Sequence, residues 1–231
     1  MLALKVPKLT PAELDHAAAE LLRDYSRWKG TPARPPIDVE EITEQHLRLT
    51  LELDDLRARL GLPDVLGATW FEEKLIRIEQ TLEGKEGRLA FTVAHELGHW
   101  QLHRALYLVD KETLPLFPAK EGAAPKSVYV CRNGDRDTPA EWQANQFAAR
   151  LLMPASFVRK VARAIHGEDP LLLQGLNAAR ATATLPDALR DAAAEVIEAG
   201  EFSNASNEAM CYRLLDLGLV TDARQAQRRL L

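Results

Sequence analysis

Cysteine is nearly absent from this chain: Cys131 and Cys211, far apart in sequence, are the only two. Two thiols build neither a disulfide framework nor a cysteine-rich zinc site, so free thiols in a reducing compartment are the expectation. Long apolar runs are missing as well. No stretch approaches the roughly 20 residues a membrane-spanning helix requires. The start, Met1-Leu2-Ala3-Leu4-Lys5-Val6-Pro7, is interrupted too soon for a signal peptide. The expected location is the cytoplasm, with no membrane partner. A strong excess of either charge is also lacking. The net charge of -5 gives no global reason to bind nucleic acid, so direct nucleic-acid binding is not expected. No internal repeat or low-complexity tract stands out.

What remains is an ordinary soluble composition, 46% hydrophobic and 27% charged over 231 residues, enough for one sizeable domain or two small lobes. Thr10-Pro11-Ala12-Glu13 reads as a capping box opening a helix that Gly30 stops near Trp28 or Lys29. Asp38 to His46 reads as a shorter helix, and the alternating Leu47 to Leu53 as a strand. Gly67 to Phe71 and Lys74 to Ile78 read as two strands joined by Glu72-Glu73. A helix follows from about Arg88 to Leu106, then an irregular loop from Tyr107 to Lys126. Ser127 to Arg132 reads as a strand, with Asn133-Gly134 as a turn. Thr138-Pro139-Ala140-Glu141 repeats the capping pattern, and its helix runs to about Met153 before Pro154. Beyond Pro154 the chain is rich in Ala and Leu and reads as helical, without strands. The expectation is an α+β fold divided at that point: residues 1–154 mixed, residues 155–231 all-helical.

The chemistry-bearing pattern is His95-Glu96-Leu97-Gly98-His99, inside the third of these helices. Histidines four apart on a helix differ by about 40° around its axis, so both rings reach one ion from one face. Glu96, about 100° from His95, stands beside that ion and can take a proton from water held there. This is the mechanical content of His-Glu-x-x-His. Gly98 costs about 1 kcal/mol relative to Ala inside a helix. A bare backbone there makes sense if another element packs closely.

A catalytic zinc takes three protein ligands. His103 lies one further turn along the same helix, too far along the axis to converge easily with His95 and His99; a supporting or helix-end role suits it better. His16, His46 and His166 lie in other helices with no partner residues evident. Glu141 is the best candidate, the alternative being a favourable charge in a first helical turn. Ala144, Ala148 and Ala149 form a small-residue strip that would let its helix approach the motif helix. Asn145, one turn on, can orient a ligand histidine through its free ring nitrogen.

His-Glu-Leu-Gly-His followed by Glu-x-x-Ala-Asn-x-Phe-Ala-x-x-Leu-Leu-Met-Pro resembles the ImmA/IrrE family of metallopeptidases. The likeness covers roughly residues 35 to 220 and is most specific from Arg88 to Pro154. It implies a zincin-like core, a small mixed sheet packed on the active-site helices, with metal ligands His95, His99 and Glu141 and general base Glu96. It implies a zinc metalloendopeptidase, with manganese as the other metal considered. The implied substrate is a helix-turn-helix repressor, cut to derepress phage, mobile-element or stress genes. Gln143 departs from the acidic residue that many members carry there. In a zincin-like arrangement the strand from Leu75 to Ile78 would be an edge strand to which substrate adds, the plainer alternative being a core strand. Tyr107, Tyr129 and His103 are candidates for a second oxyanion donor. Two other classes stay open: an anti-repressor that acts by binding, with a structural or weakly active metal site, and a DNA-associated regulator using Arg224, Arg228 and Arg229.

Overall fold

The computed structural model describes residues 6–113, 128–132, 138–176 and 184–223, with 108–113 and 128–132 by backbone alone. The chain divides into two units, residues 1–33 with 38–151 and residues 34–37 with 152–231. The four residues Arg34 to Ile37 thus belong with the second unit although they lie deep in the first part of the sequence. The fold is mixed α+β.

In the first unit, α1 (Pro11–Lys29) has the expected capping box, with Pro11 at its start and Gly30 at φ 74° ending it. Its buried stripe is Leu14, Ala18, Leu21, Leu22 and Tyr25. Asp38 caps α2 (Val39–Glu41), which runs on into one π turn over Ile42–His46. Tyr25 and Lys29 both donate to the Glu41 carboxylate, which ties α1 to α2. Strand β1 (Thr50–Asp54) starts three residues later than expected. The chain leaves the π turn through helical Leu47 and left-handed Arg48, so extended backbone cannot begin at Leu47.

A short helix α3 (Leu56–Leu60) leads to β2 (Val65–Trp70) and β3 (Leu75–Glu79). With β4 (Val128–Arg132) they form a sheet in the order β1-β3-β2-β4, parallel between β1 and β3 and antiparallel elsewhere. The Leu75 to Ile78 strand is therefore internal, the core strand of the plainer reading and not the edge that a zincin-like arrangement implied. The β1 strand pairs along its outer side, an arrangement that alternation within β3 alone does not encode. In β2 a register shift between Val65 and Gly67 puts Val65 on the same face as Ala68 and Trp70, where they pack with Leu56. Gly67 and Thr69 face the other way, towards the next helix.

That helix, α4 (Glu86–Thr113), packs on β2 and β3. It is longer than expected at both ends, and residues 107–113 continue it where a loop was expected. No glycine or proline interrupts that stretch; the breakers begin at Pro115. Helix α5 (Pro139–Leu152) starts as the sequence indicates, with the Glu141 amide donating to the Thr138 hydroxyl. A β-carbon on Gly98 would stand 3.0 Å from the Ala144 α-carbon. The two helices therefore cross with backbone almost against backbone, which is the close packing the glycine implied. Ala144 and Ala148 are buried in α5, whereas Ala149 is half-exposed and stands apart from the expected strip.

The second unit contains α6 (Ala155–His166), α7 (Asp187–Ala199) and α8 (Asn207–Asp216), the last capped by Ser206. It is not all-helical. Leu171–Leu173 (β5) and Val220–Asp222 (β6) form a parallel pair, Leu171 opposite Val220. Three residues cannot display alternation, and an unbroken Leu run does not separate strand from helix. Arg213 donates through Nε to the Met153 carbonyl at 3.0 Å, and Asn204 donates to the carbonyl of buried Ile37 at 2.8 Å. None of the described helices is long and apolar enough to cross a membrane. The Asn133-Gly134 turn and Arg224, Arg228 and Arg229 lie outside the described residues.

Candidate metal centre

Among the described residues, His95, His99 and Glu141 form the group of three side chains placed to hold a metal ion. One turn of α4 separates the two histidines. The first turn of α5 delivers Glu141 across the Gly98–Ala144 crossing. His95 Nε2 lies 2.9 Å from His99 Nε2, and Glu141 places one oxygen 3.1 Å from the first and the other 3.3 Å from the second. A tetrahedral zinc ion with bonds of about 2.0–2.1 Å holds its ligands about 3.3 Å apart. The nitrogen–nitrogen distance and each nitrogen's distance to its nearer carboxylate oxygen fall within about 0.4 Å of that spacing. Two nitrogens and a carboxylate are also the donor types zinc accepts.

Their protonation suits the same role. Burial pushes the His99 pKa down to about 3, and the opposing pull of the Glu141 contact does not prevail. Burial alone would raise the Glu141 pKa, but its contacts with His95 and His99 outweigh that and hold it down at about 2. At neutral pH the centre therefore presents a neutral imidazole and an ionised carboxylate, the forms a metal binds. Behind His95, the Asn145 side-chain oxygen lies 3.0 Å from Nδ1, as expected of a group that orients a ligand ring.

His103 does not join the triangle. It is fully buried, and its Nδ1 lies 3.0 Å from His99 Nδ1 while its Nε2 lies 3.0 Å from Gln143 Oε1. Gln143 donates in turn to the Pro7 carbonyl at 2.6 Å. Burial lowers the His103 pKa. The remaining histidines do have neighbours: His16 pairs with Glu20, His46 packs its ring on Tyr25 and Trp28, and His166 stands 3.7 Å from Glu195. Tyr107 packs against Phe71 with ring centres 4.9 Å apart and ring planes tilted by 40°. The Tyr129 side chain lies outside the described residues.

Glu96 is fully buried beside the triangle. The Thr69 hydroxyl donates to its Oε2 at 2.6 Å, while Oε1 has no hydrogen-bond partner. Gly67 makes room for it, since a β-carbon there would stand 2.6 Å from Oε1. Burial raises the Glu96 pKa to about 7 against the pull of His95 and Thr69, with Glu141 adding to the rise. An unpartnered buried carboxylate oxygen is costly.

Reading the sequence did not identify Gly67, Thr69 or Pro7, and it noted Gln143 only as a departure from a family pattern. These residues reach the centre from β2, from the N-terminal segment and from the second face of α5. No local spacing relates them to the motif, so only the sheet order and the helix crossing reveal them. Compared with models of known protein families and with curated proteins, the chain matches none.

Proposed function

We propose that the protein is a metal-dependent peptide hydrolase, with zinc as the metal and His95, His99 and Glu141 as its ligands. The observation that carries this reading is the convergence of His95, His99 and Glu141, with the buried, singly hydrogen-bonded carboxylate of Glu96 next to His95 in the same helix. The likeness of residues 88–154 to the ImmA/IrrE metallopeptidases supports a zincin-like core and a helix-turn-helix repressor as substrate. Manganese is the second metal that this donor set accommodates.

Bound zinc supplies a Lewis acid that lowers the pKa of water and polarises a carbonyl. Glu96 takes the proton of the attacking water on Oε1 and passes it to the leaving amine. A pKa of about 7 suits a group that must do both near neutrality. The Thr69 hydroxyl occupies Oε2, which leaves Oε1 as the oxygen open to accept the proton. Asn145 holds the His95 ring from behind.

The first test is cleavage of a randomised peptide library by the zinc-loaded and manganese-loaded protein, read by mass spectrometry. Hydrolysis that a chelator stops is the expected result; an intact library at one bound metal equivalent sinks the hydrolase reading. A second incubation, with helix-turn-helix repressors, tests the substrate class. Release of DNA without a cut would make the protein a binding-type anti-repressor instead.

Thr69→Val removes the donor to Glu96 and leaves both carboxylate oxygens without a partner. The hydrogen bond lowers the Glu96 pKa, so its loss raises that pKa further. The acidic limb of the kcat/KM profile should move to higher pH, and the variant should lose about 1–3 kcal/mol of stability. A pH–rate profile and a denaturant melt check the two effects separately.

A further inference from the structure

The residues behind His99 determine each other's protons. Pro7 offers only a carbonyl, since proline has no N–H. A carbonyl accepts and never donates, so the Gln143 atom 2.6 Å from it must be the amide nitrogen. The carboxamide orientation is thereby fixed, and Gln143 Oε1 is the atom 3.0 Å from His103 Nε2. That oxygen also only accepts, so His103 Nε2 carries a hydrogen. A neutral imidazole has one N–H, which leaves His103 Nδ1 bare. It stands 3.0 Å from His99 Nδ1, and the hydrogen between them can come only from His99. His99 is then protonated at Nδ1, so its Nε2 offers His95 Nε2 and the Glu141 carboxylate a lone pair rather than an N–H, and a cation between them would satisfy these acceptors together.

We propose that Pro7, Gln143 and His103 form a one-directional hydrogen-bond chain that fixes His99 in the tautomer able to bind metal, which makes Gln143 a positioning residue of the centre. The purpose of the chain rests on reading His95, His99 and Glu141 as metal ligands; its direction does not. An amide suits position 143 because it has both ends the chain needs, a donor for Pro7 and an acceptor for His103. A carboxylate would serve His103 but would set oxygen against oxygen at Pro7. The departure at Gln143 thus matches the presence of the Pro7 carbonyl. Asn145 does for His95 in one step what these residues do for His99 in three.

The test uses the full chain with 15N-labelled histidine, metal-free, at about pH 8, where ordinary histidines are neutral. The parent should show His103 protonated at Nε2 and His99 protonated at Nδ1. Gln143→Met keeps the size and removes both polar ends. His99 should then populate both tautomers, and zinc affinity, measured by chelator competition, should fall about 10- to 100-fold. Gln143→Glu keeps the acceptor for His103 and should hold His99 at Nδ1–H, with zinc affinity within about threefold of the parent. The proposal is overturned if His99 of the parent carries its proton on Nε2. It is overturned equally if Gln143→Met retains the parental tautomer and affinity, or if Gln143→Glu fails to restore a loss seen in Gln143→Met. The parent spectrum decides by itself if Gln143→Met does not fold. A parent with the stated tautomers that binds no zinc would sink the metal reading and leave the chain standing.

Discussion

Glu96→Gln is expected to lower kcat by about 10²- to 10⁴-fold, the usual contribution of a positioned acid–base group. Zinc stoichiometry should stay at the parental value, because Glu96 is not one of the three converging donors. KM should hardly change, since the loss is confined to proton transfer. The fold should tolerate the change well. The amide has the shape of the carboxyl group and can still accept from Thr69. The direction of the stability effect follows from the raised pKa. A group moved from 4.5 to about 7 on folding contributes stability that is present below pH 4.5 and lost as pH rises through 7. An amide cannot ionise and escapes that loss. Metal-free Glu96→Gln should therefore melt at or above the parental temperature at pH 8. Steady-state kinetics and thermal melts check these results. A variant with undiminished kcat would remove Glu96 from the chemistry, and a variant that also lost its zinc would make it a ligand.

Gly98→Val is expected to be the most damaging single change to the scaffold. The added atoms meet the α-carbon and carbonyl oxygen of Ala144 at 3.0 and 3.1 Å. Both belong to the backbone, so no side-chain rotation relieves the contact and the helices must part. Overpacking of this kind costs about 1–3 kcal/mol and sometimes more, a fall in Tm of about 5–10 °C for a unit of this size. Function should suffer more than stability, because α5 carries Glu141, Gln143 and Asn145 on the far side of the crossing. Zinc affinity should fall along with Tm. Gly98→Ala sharpens the test. Helix propensity alone would favour alanine by about 1 kcal/mol. Destabilisation by alanine shows that the crossing governs; stabilisation shows that the helices had room to spare.

Much of this was legible along single helices. His95, Glu96 and His99 are related by helical spacing, and Gly98 announces a close neighbour before that neighbour is known. The α1 and α5 starts are local patterns as well, each carried by a threonine hydroxyl and the turn that follows it. Glu141 and Asn145 share one helix face, so naming one suggested the other. What could not be read is what only three dimensions bring together. Thr69 stands 27 residues before Glu96, and Pro7 stands 136 before Gln143. No periodicity links such positions. The sheet order was out of reach for the same reason: β3 pairs on both sides, and the strand that covers its outer side precedes it by a helix and another strand. The β5–β6 pair was hidden by brevity, since each strand spans only three residues.

The placement of Arg34 to Ile37 has a consequence for how this chain can be cut or exchanged. A fragment beginning at Leu152 lacks the Ile37 carbonyl that receives the Asn204 amide and the buried side chain beside it. A fragment ending at Leu151 carries those four residues without their counterparts. Neither half is a cassette that a single junction can liberate. Recombination that swapped the tail of this protein would have to preserve a tetrapeptide more than a hundred residues upstream. The tail and that short tract are therefore expected to be inherited together.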